Sequence, residues 1–236
     1  MTPDHIVVLT GAGISAESGV ATFRDSGGLW EKHAIEDVAT PEGFARDPDL
    51  VHRFYNDRRA QLDQVDPNPA HQALARLQRA HPATVTVITQ NVDDLHERGG
   101  VVEPIHMHGA LREVRCIACD RVHDWTGPTG RDTICPSCKM AGTIRPNIVW
   151  FGEMPFQMDR IFDALRAADL FLSVGTSGTV YPAAGFVSEV ARLGRAHSIE
   201  INMEPSDGAS LFRECRHGPA GTLLPALVEE LLDRAE

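Results

Sequence analysis

The chain has 236 residues, is 42% hydrophobic and 23% charged, and carries a formal net charge of −11 at pH 7; this ordinary globular composition excludes a disordered or collagen-like chain. Such acidity argues against a general binder of nucleic acid or anionic membrane, and no apolar run approaches the ~18 residues of a membrane span. Met1-Thr2-Pro3-Asp4 lacks the basic and apolar regions of a secretory signal, and four of the five cysteines fall as two tight pairs, so the expectation is a soluble, cytoplasmic monomer with a metal site in place of disulfides.

Residues 5–10 (HIVVLT) read as a buried parallel strand that feeds into Gly11-Ala12-Gly13-Ile14-Ser15-Ala16. Thr40-Pro41, Asp47-Pro48 and Asn68-Pro69 each place a capping side chain before a proline at the first helical position. The third opens a helix with Ala70, Ala73, Leu74 and Leu77 on one face. Residues 83–89 are the next strand, ending in Gln90-Asn91-Val92-Asp93. From Arg112 to Arg145 the rhythm breaks into a stretch punctuated by Cys, Gly and Pro. It then resumes with an extended segment at 147–151, a helix at 158–168, a strand at 170–174, a helix at 183–193, a strand at 197–202 and a closing helix at 223–232.

Alternating strands and helices predict an α/β fold, a doubly wound, Rossmann-like parallel sheet. The expected division is a nucleotide domain from residues 1–30, 65–111 and 147–236, a helical insertion at 31–64 and a smaller zinc-ribbon insertion at 112–146.

Strand, then GxGxxA, then helix suits a phosphate, although a plain strand-to-helix turn has the same pattern. The chain then continues Phe23-Arg24-Asp25-Ser26-Gly27-Gly28, without the prompt second strand and acidic residue of a dehydrogenase. Cys116-x2-Cys119 and Cys135-x2-Cys138, 15 residues apart, have the spacing of a closed, structural four-sulfur zinc site. Cys215 stands alone and reads as an inert buried cysteine. Three strand ends are unusually polar: Gln90 to Asp93, His106-Met107-His108-Gly109 and Gly175-Thr176-Ser177. A neutral imidazole there is a candidate general base, and no nucleophile elbow is present.

These blocks in this order resemble the sirtuins, NAD-dependent protein-lysine deacylases: residues 11–24, 89–100, 106–109, the cysteine pairs, 145–153, 174–185 and 201–206. The resemblance implies two bound groups, NAD and one structural Zn2+. Gly11, Ala12, Gly13, Phe23, Arg24, Gln90, Asn91 and Asp93 would line the NAD pocket. Gly175, Thr176 and Ser177 would contact phosphate and ribose, Asn202 the adenosine ribose and Ala220 the adenine side. His108 matches the catalytic histidine, with Asn91 and Asp93 orienting the reactants. Val149, Trp150, Phe151, Gly152 and Glu153 would form a rim that pairs with an acyl-lysine protein or peptide. Ala21 departs from the proline of many relatives.

Val51, Tyr55, Arg58 and Leu62 form one stripe on the helix opened by Asp47, with Arg59 turned away. From spacing alone, an arginine reaching solvent or a nearby Asp is the favoured reading of Arg58. Tyr55-x-x-Arg58 with Ala39, however, resembles the class III, desuccinylase-type sirtuins. That implies a pocket widened at Ala39 and a carboxylate held by Tyr55 and Arg58, accepting succinyl, malonyl and acetyl groups. The alternative activity is NAD-dependent mono-ADP-ribosylation.

Overall fold

The structure, a computed structural model, describes residues 2–20 and 33–235. The expected Phe23, Arg24 and Ala21 features lie outside these residues. In chain order the elements are β1 (His5–Thr10), α1 (Ala12–Ala16), α2 (Ile35–Val38), α3 (Pro41–Arg46), α4 (Pro48–Gln61), α5 (Pro69–Ala80), β2 (Thr84–Thr89) and α6 (Leu95–Arg98). There follow β3 (Ile105–His106), β4 (Gly109–Cys116), β5 (Val122–Asp124), β6 (Ile144–Ile148), α7 (Met158–Ala167), β7 (Leu170–Val174), α8 (Phe186–Leu193), β8 (His197–Asn202), β9 (Glu214–His217) and α9 (Ala220–Asp233).

β1 is the hinge of the topology. The main sheet runs β3-β2-β1-β7-β8-β9, and every neighbouring pair is parallel. The chain therefore winds outward from β1 in one direction, then crosses to its other side at β7, which is the expected doubly wound order. Alternation along β1 divides the core: Ile6 and Val8 pack with α5 and α9, whereas Val7 and Leu9 pack with α7 and α8.

The three proline-led caps form as the sequence indicates. Thr40 accepts the Gly43 N–H at 2.9 Å, Asp47 the Leu50 N–H at 3.0 Å and Asn68 the Ala70 N–H at 2.9 Å. Where the sequence is irregular, β5-β4-β6 form a small antiparallel sheet. Its strands extend past the expected edges of the insertion, starting at Gly109 and ending at Ile148.

Candidate active site

The strand-order reversal brings the β1–α1 turn against the loop after β7. Gly11 N–H donates to Val174 O at 3.0 Å and Gly13 N–H to Gly175 O at 2.8 Å. A Cβ on Gly11 would lie 2.7 Å from Gly175 O, one on Gly13 2.7 Å from Gly175 Cα, and one on Gly175 2.3 Å from Ile14 N. Packing of turn on turn thus requires the glycines, and their amides at 11 and 13 are already used inside the fold. Gly175 also needs its positive φ of 65°.

Around this junction converge the polar strand ends. Gln90 donates to Thr176 Oγ1 at 3.1 Å, Asn202 donates to Thr176 O at 2.9 Å, and Ser177 shares a hydrogen bond with Thr179 at 2.9 Å. Ala220, at the start of α9, is buried. This polar rim over a glycine-lined approach fits a dinucleotide.

Beneath it lies a buried relay that sequence reasoning only half found. Asn91 Nδ2 donates to Ser15 Oγ at 3.0 Å, and Ser15 Oγ donates to Asp93 Oδ2 at 3.0 Å. Leu95 N–H donates to the second Asp93 oxygen at 3.1 Å. Burial pushes the Asp93 pKa up, partly offset by these donors. His71 lies 3.4 Å from Ser15 Oγ; its Nδ1 accepts the Asn68 N–H at 3.3 Å, so Nε2 carries the proton of the neutral ring. Burial lowers the His71 pKa to about 4. Ser15 and His71 were not among the expected site residues. The signal for Ser15 was its place inside the GAGISAES block.

The two histidines at 106 and 108 separate by environment. Burial lowers His106, but its 2.7 Å hydrogen bond to Glu97, the Glu97 and Asp93 charges and the Asn91 carbonyl together outweigh this and its pKa rises overall. For His108 burial dominates and the pKa falls, although Nδ1 sits 3.1 Å from Gln90 O. Because a carbonyl can only accept, Nδ1 carries the proton and Nε2 keeps a lone pair. Gly109 turns the corner with φ 83°, and a Cβ there would lie 1.9 Å from Asn147 O.

Val149 N–H donates to His108 O at 2.9 Å and Phe151 N–H to Ala39 O at 3.0 Å, so the 149–153 loop bridges the histidine and the helical insertion. Of the residues expected along its rim, Phe151 (52% exposed) and Gly152 face outward, whereas Trp150 is buried. Glu153 is turned into the loop: it receives Arg145 at 2.7 and 2.9 Å and Trp150 N–H at 2.9 Å. These hydrogen bonds, with Arg145 stacked 3.4 Å from the Trp150 ring centroid, hold the loop's shape.

Ala39, Tyr55 and Trp150 share one buried cluster, and Trp150 Nε1 donates to Tyr55 Oη at 2.9 Å. Burial pushes the Tyr55 phenol to about 12. Arg58 is half-buried, 5.8 Å from the Phe54 ring centroid, and burial lowers its pKa against the pull of Tyr55 and Asp93. The expectation that Arg59 turns away is wrong. Arg59 is 1% exposed and donates to Leu111 O at 2.7 Å and Asn56 Oδ1 at 3.0 Å. The reason is a second covered face on α4, where His52 meets Thr129 at 2.8 Å and Asn56 reaches Thr129 O at 2.8 Å.

The four paired cysteines gather at one point, with all sulfurs within 4.8 Å of one another. Cys116–Cys138 and Cys119–Cys135 sulfur separations are 3.6 and 3.8 Å. Tetrahedral Zn–S bonds of about 2.3 Å place sulfurs about 3.8 Å apart, so the set fits the ion. Cys215 differs from expectation: it is exposed, because β9 is the outer strand of the sheet.

Together the fold and these geometries define an α/β domain built to receive a dinucleotide where its strand order reverses. The Sir2 family model matches residues 11–182. An NAD-dependent protein deacylase of Vibrio vulnificus is 57% identical over 234 residues, covering 98% of this chain and 95% of that relative. A solved Sir2 homolog–NAD complex superposes with TM-score 0.89 at 37% identity, covering 99% of this chain and 91% of that one. A Sir2–p53 peptide–NAD+ complex does so with TM-score 0.80 at 28% identity, covering 97% and 93%. The chain belongs to the Sir2 family.

Proposed function

We propose that the protein removes acyl groups from protein lysines in an NAD-dependent reaction that yields nicotinamide and O-acyl-ADP-ribose. The observation that carries this reading is the placement of one weakly basic imidazole, His108, between the nucleotide rim and the 149–153 loop. NAD supplies, when bound, a cationic nicotinamide leaving group, so the reaction needs no protein nucleophile. His108 Nε2, unprotonated at neutral pH, takes a proton from a ribose hydroxyl. Asn91 and Asp93, fixed through Ser15, orient the ribose and nicotinamide ends. Gly11, Ala12, Gly13, Gln90, Gly175, Thr176, Ser177, Asn202 and Ala220 hold the rest of the nucleotide.

The peptide lies along the Val149, Phe151 and Gly152 edge. Its acyl chain enters beside Ala39, Tyr55 and Trp150, where Arg58 meets a terminal carboxylate. A peptide bound to a Sir2 neighbour supports this class of substrate. The names of the relatives favour deacylation over transfer of ADP-ribose to protein. In this reading residues 31–64 serve the acyl group and 112–146 the zinc.

The test is nicotinamide release from one peptide bearing acetyl-lysine, succinyl-lysine or no acyl group. His108→Ala should lower turnover about 10²–10⁴-fold, with full activity overturning the mechanism. Arg58→Met should abolish desuccinylation and spare deacetylation; equal loss of both refutes the carboxylate role.

A further inference from the structure

The outer edge of the main sheet carries a second cluster of donor atoms. Glu200 and Cys215 are directly opposed in the β8–β9 ladder, and His217 follows two residues along β9, on the same face. Their donor atoms all lie within 4.8 Å of one another, with Glu200 Oε2 3.8 Å from His217 Nε2. We propose that Glu200, Cys215 and His217 form a binding site for one divalent transition ion of the zinc type.

The Glu200 side chain is 1% exposed, yet its Oε1 has no hydrogen-bond partner among the described residues. Its Oε2 receives a long, 3.4 Å contact from Ser206 N–H. A buried carboxylate with an orphaned oxygen is costly, and a cation on the same atoms removes that cost. The other two donors are accessible: Cys215 is exposed and the His217 side chain is 41% exposed, so an ion can enter and both side chains can adjust. Zn–S, Zn–N and Zn–O bonds of about 2.0–2.3 Å need donors roughly 3.3–3.8 Å apart. The two exposed donors therefore need to close by at most about 1.5 Å around the buried carboxylate.

Sulfur, imidazole and carboxylate together suit zinc better than magnesium or calcium, which take oxygen donors. Three protein donors leave a fourth position for solvent. His217 pairs with Asn202 in the ladder, so the ion would rest against the wall of the adenosine end.

Metal analysis of the zinc-loaded, gel-filtered protein tests this directly. Wild type should carry two zinc ions per chain; Cys215→Ser and His217→Ala should each carry one and keep the thermal stability of the one-zinc wild type. Titration of the one-zinc wild type with Co2+ should give a thiolate-to-cobalt absorption band that saturates at one equivalent and is missing in Cys215→Ser. One zinc per loaded wild-type chain, or a second ion retained in both variants, overturns the proposal. Deacylase activity plays no part in these readouts, so the assignment stands or falls apart from the proposed reaction.

Discussion

The helical insertion buries Val38, Ala39, Val51, Phe54, Tyr55 and Leu62 against Val92, Leu111, Ile148 and Trp150 of the surrounding chain. The metal-binding insertion buries Val114, Cys116, Cys135 and Ile144, two of which are thiols. A fully buried aliphatic side chain contributes about 1.5–3 kcal/mol. The first region can hold its shape by exclusion of water, whereas the second has too little apolar surface. A structural zinc ion contributes an apparent 10–16 kcal/mol or so. Both regions bear on the same loop: Ala39 accepts the Phe151 N–H, and β4 and β6 run directly into His108 and Val149, which are hydrogen-bonded to each other. The active site is therefore gripped from one side by packing and from the other by coordination.

The largest effect expected from this contrast follows metal removal. Cys135→Ser, or strong chelation, should release the ion from the four-cysteine site and cut deacylation at least about 100-fold, because the β4–β6 ladder fixes His108 and Val149. Metal analysis, nicotinamide release and far-UV circular dichroism would show zinc and activity lost with most helix kept. Unimpaired turnover by the chelated protein would break the comparison. Leu62→Ala should do the converse, costing about 2–5 kcal/mol of unfolding free energy with the four-cysteine zinc retained. Denaturant titration beside metal analysis checks both parts.

A third effect belongs to neither insertion. His71 has a pKa of about 4 when folded, against about 6.5 in the unfolded chain, because burial penalises its charged form. The unfolded state therefore binds the proton first. Its contribution is intact above pH 6.5 and is lost as pH falls toward 4, by roughly 3 kcal/mol. His96, buried beside it, shifts the same way. Melting temperatures across this range should fall with zinc still bound at the start of the decline. A flat profile would show that the nucleotide domain does not share this acid sensitivity.

How much the sequence discloses follows the same physics. β1 and β7 have the bounds their apolar runs indicate, since a strand buried on both faces tends to be continuous in hydrophobicity; β8 has its expected bounds although it buries Ser198 and Glu200. β9, with the sequence ECRH, was invisible because an edge strand pairs on one side and tolerates polar residues. Its position also explains why Cys215 is exposed. The second buried stripe of α4, His52, Asn56 and Arg59, escaped notice because polar residues satisfied by a neighbouring loop leave no hydrophobic pattern. Cysteine spacing, by contrast, announces its geometry outright. The Ser15–His71 support of Asp93 spans distant segments and needed the fold to be seen.

One ladder contact, Gly109 opposite Ile148, has a consequence for how this enzyme can change. It stands directly between the catalytic edge and everything the metal module carries beyond it. The ladder absorbs one irregularity between Gly109 and Val114 and then runs in register from Val114 opposite Pro146 to Cys116 opposite Ile144; a one-residue slip in that regular part would turn each following side chain to the opposite face, so insertions there should be eliminated. Between the cysteine pairs, β5 is paired in register with β4 and Thr129 is held by His52 and Asn56, so only the turns flanking them can be lengthened at little entropic cost. The module is thus clamped twice, to the catalytic edge through β4 and β6 and to α4 through Thr129, which leaves its exposed turns as the places where length can vary while the chemistry at its root stays in register.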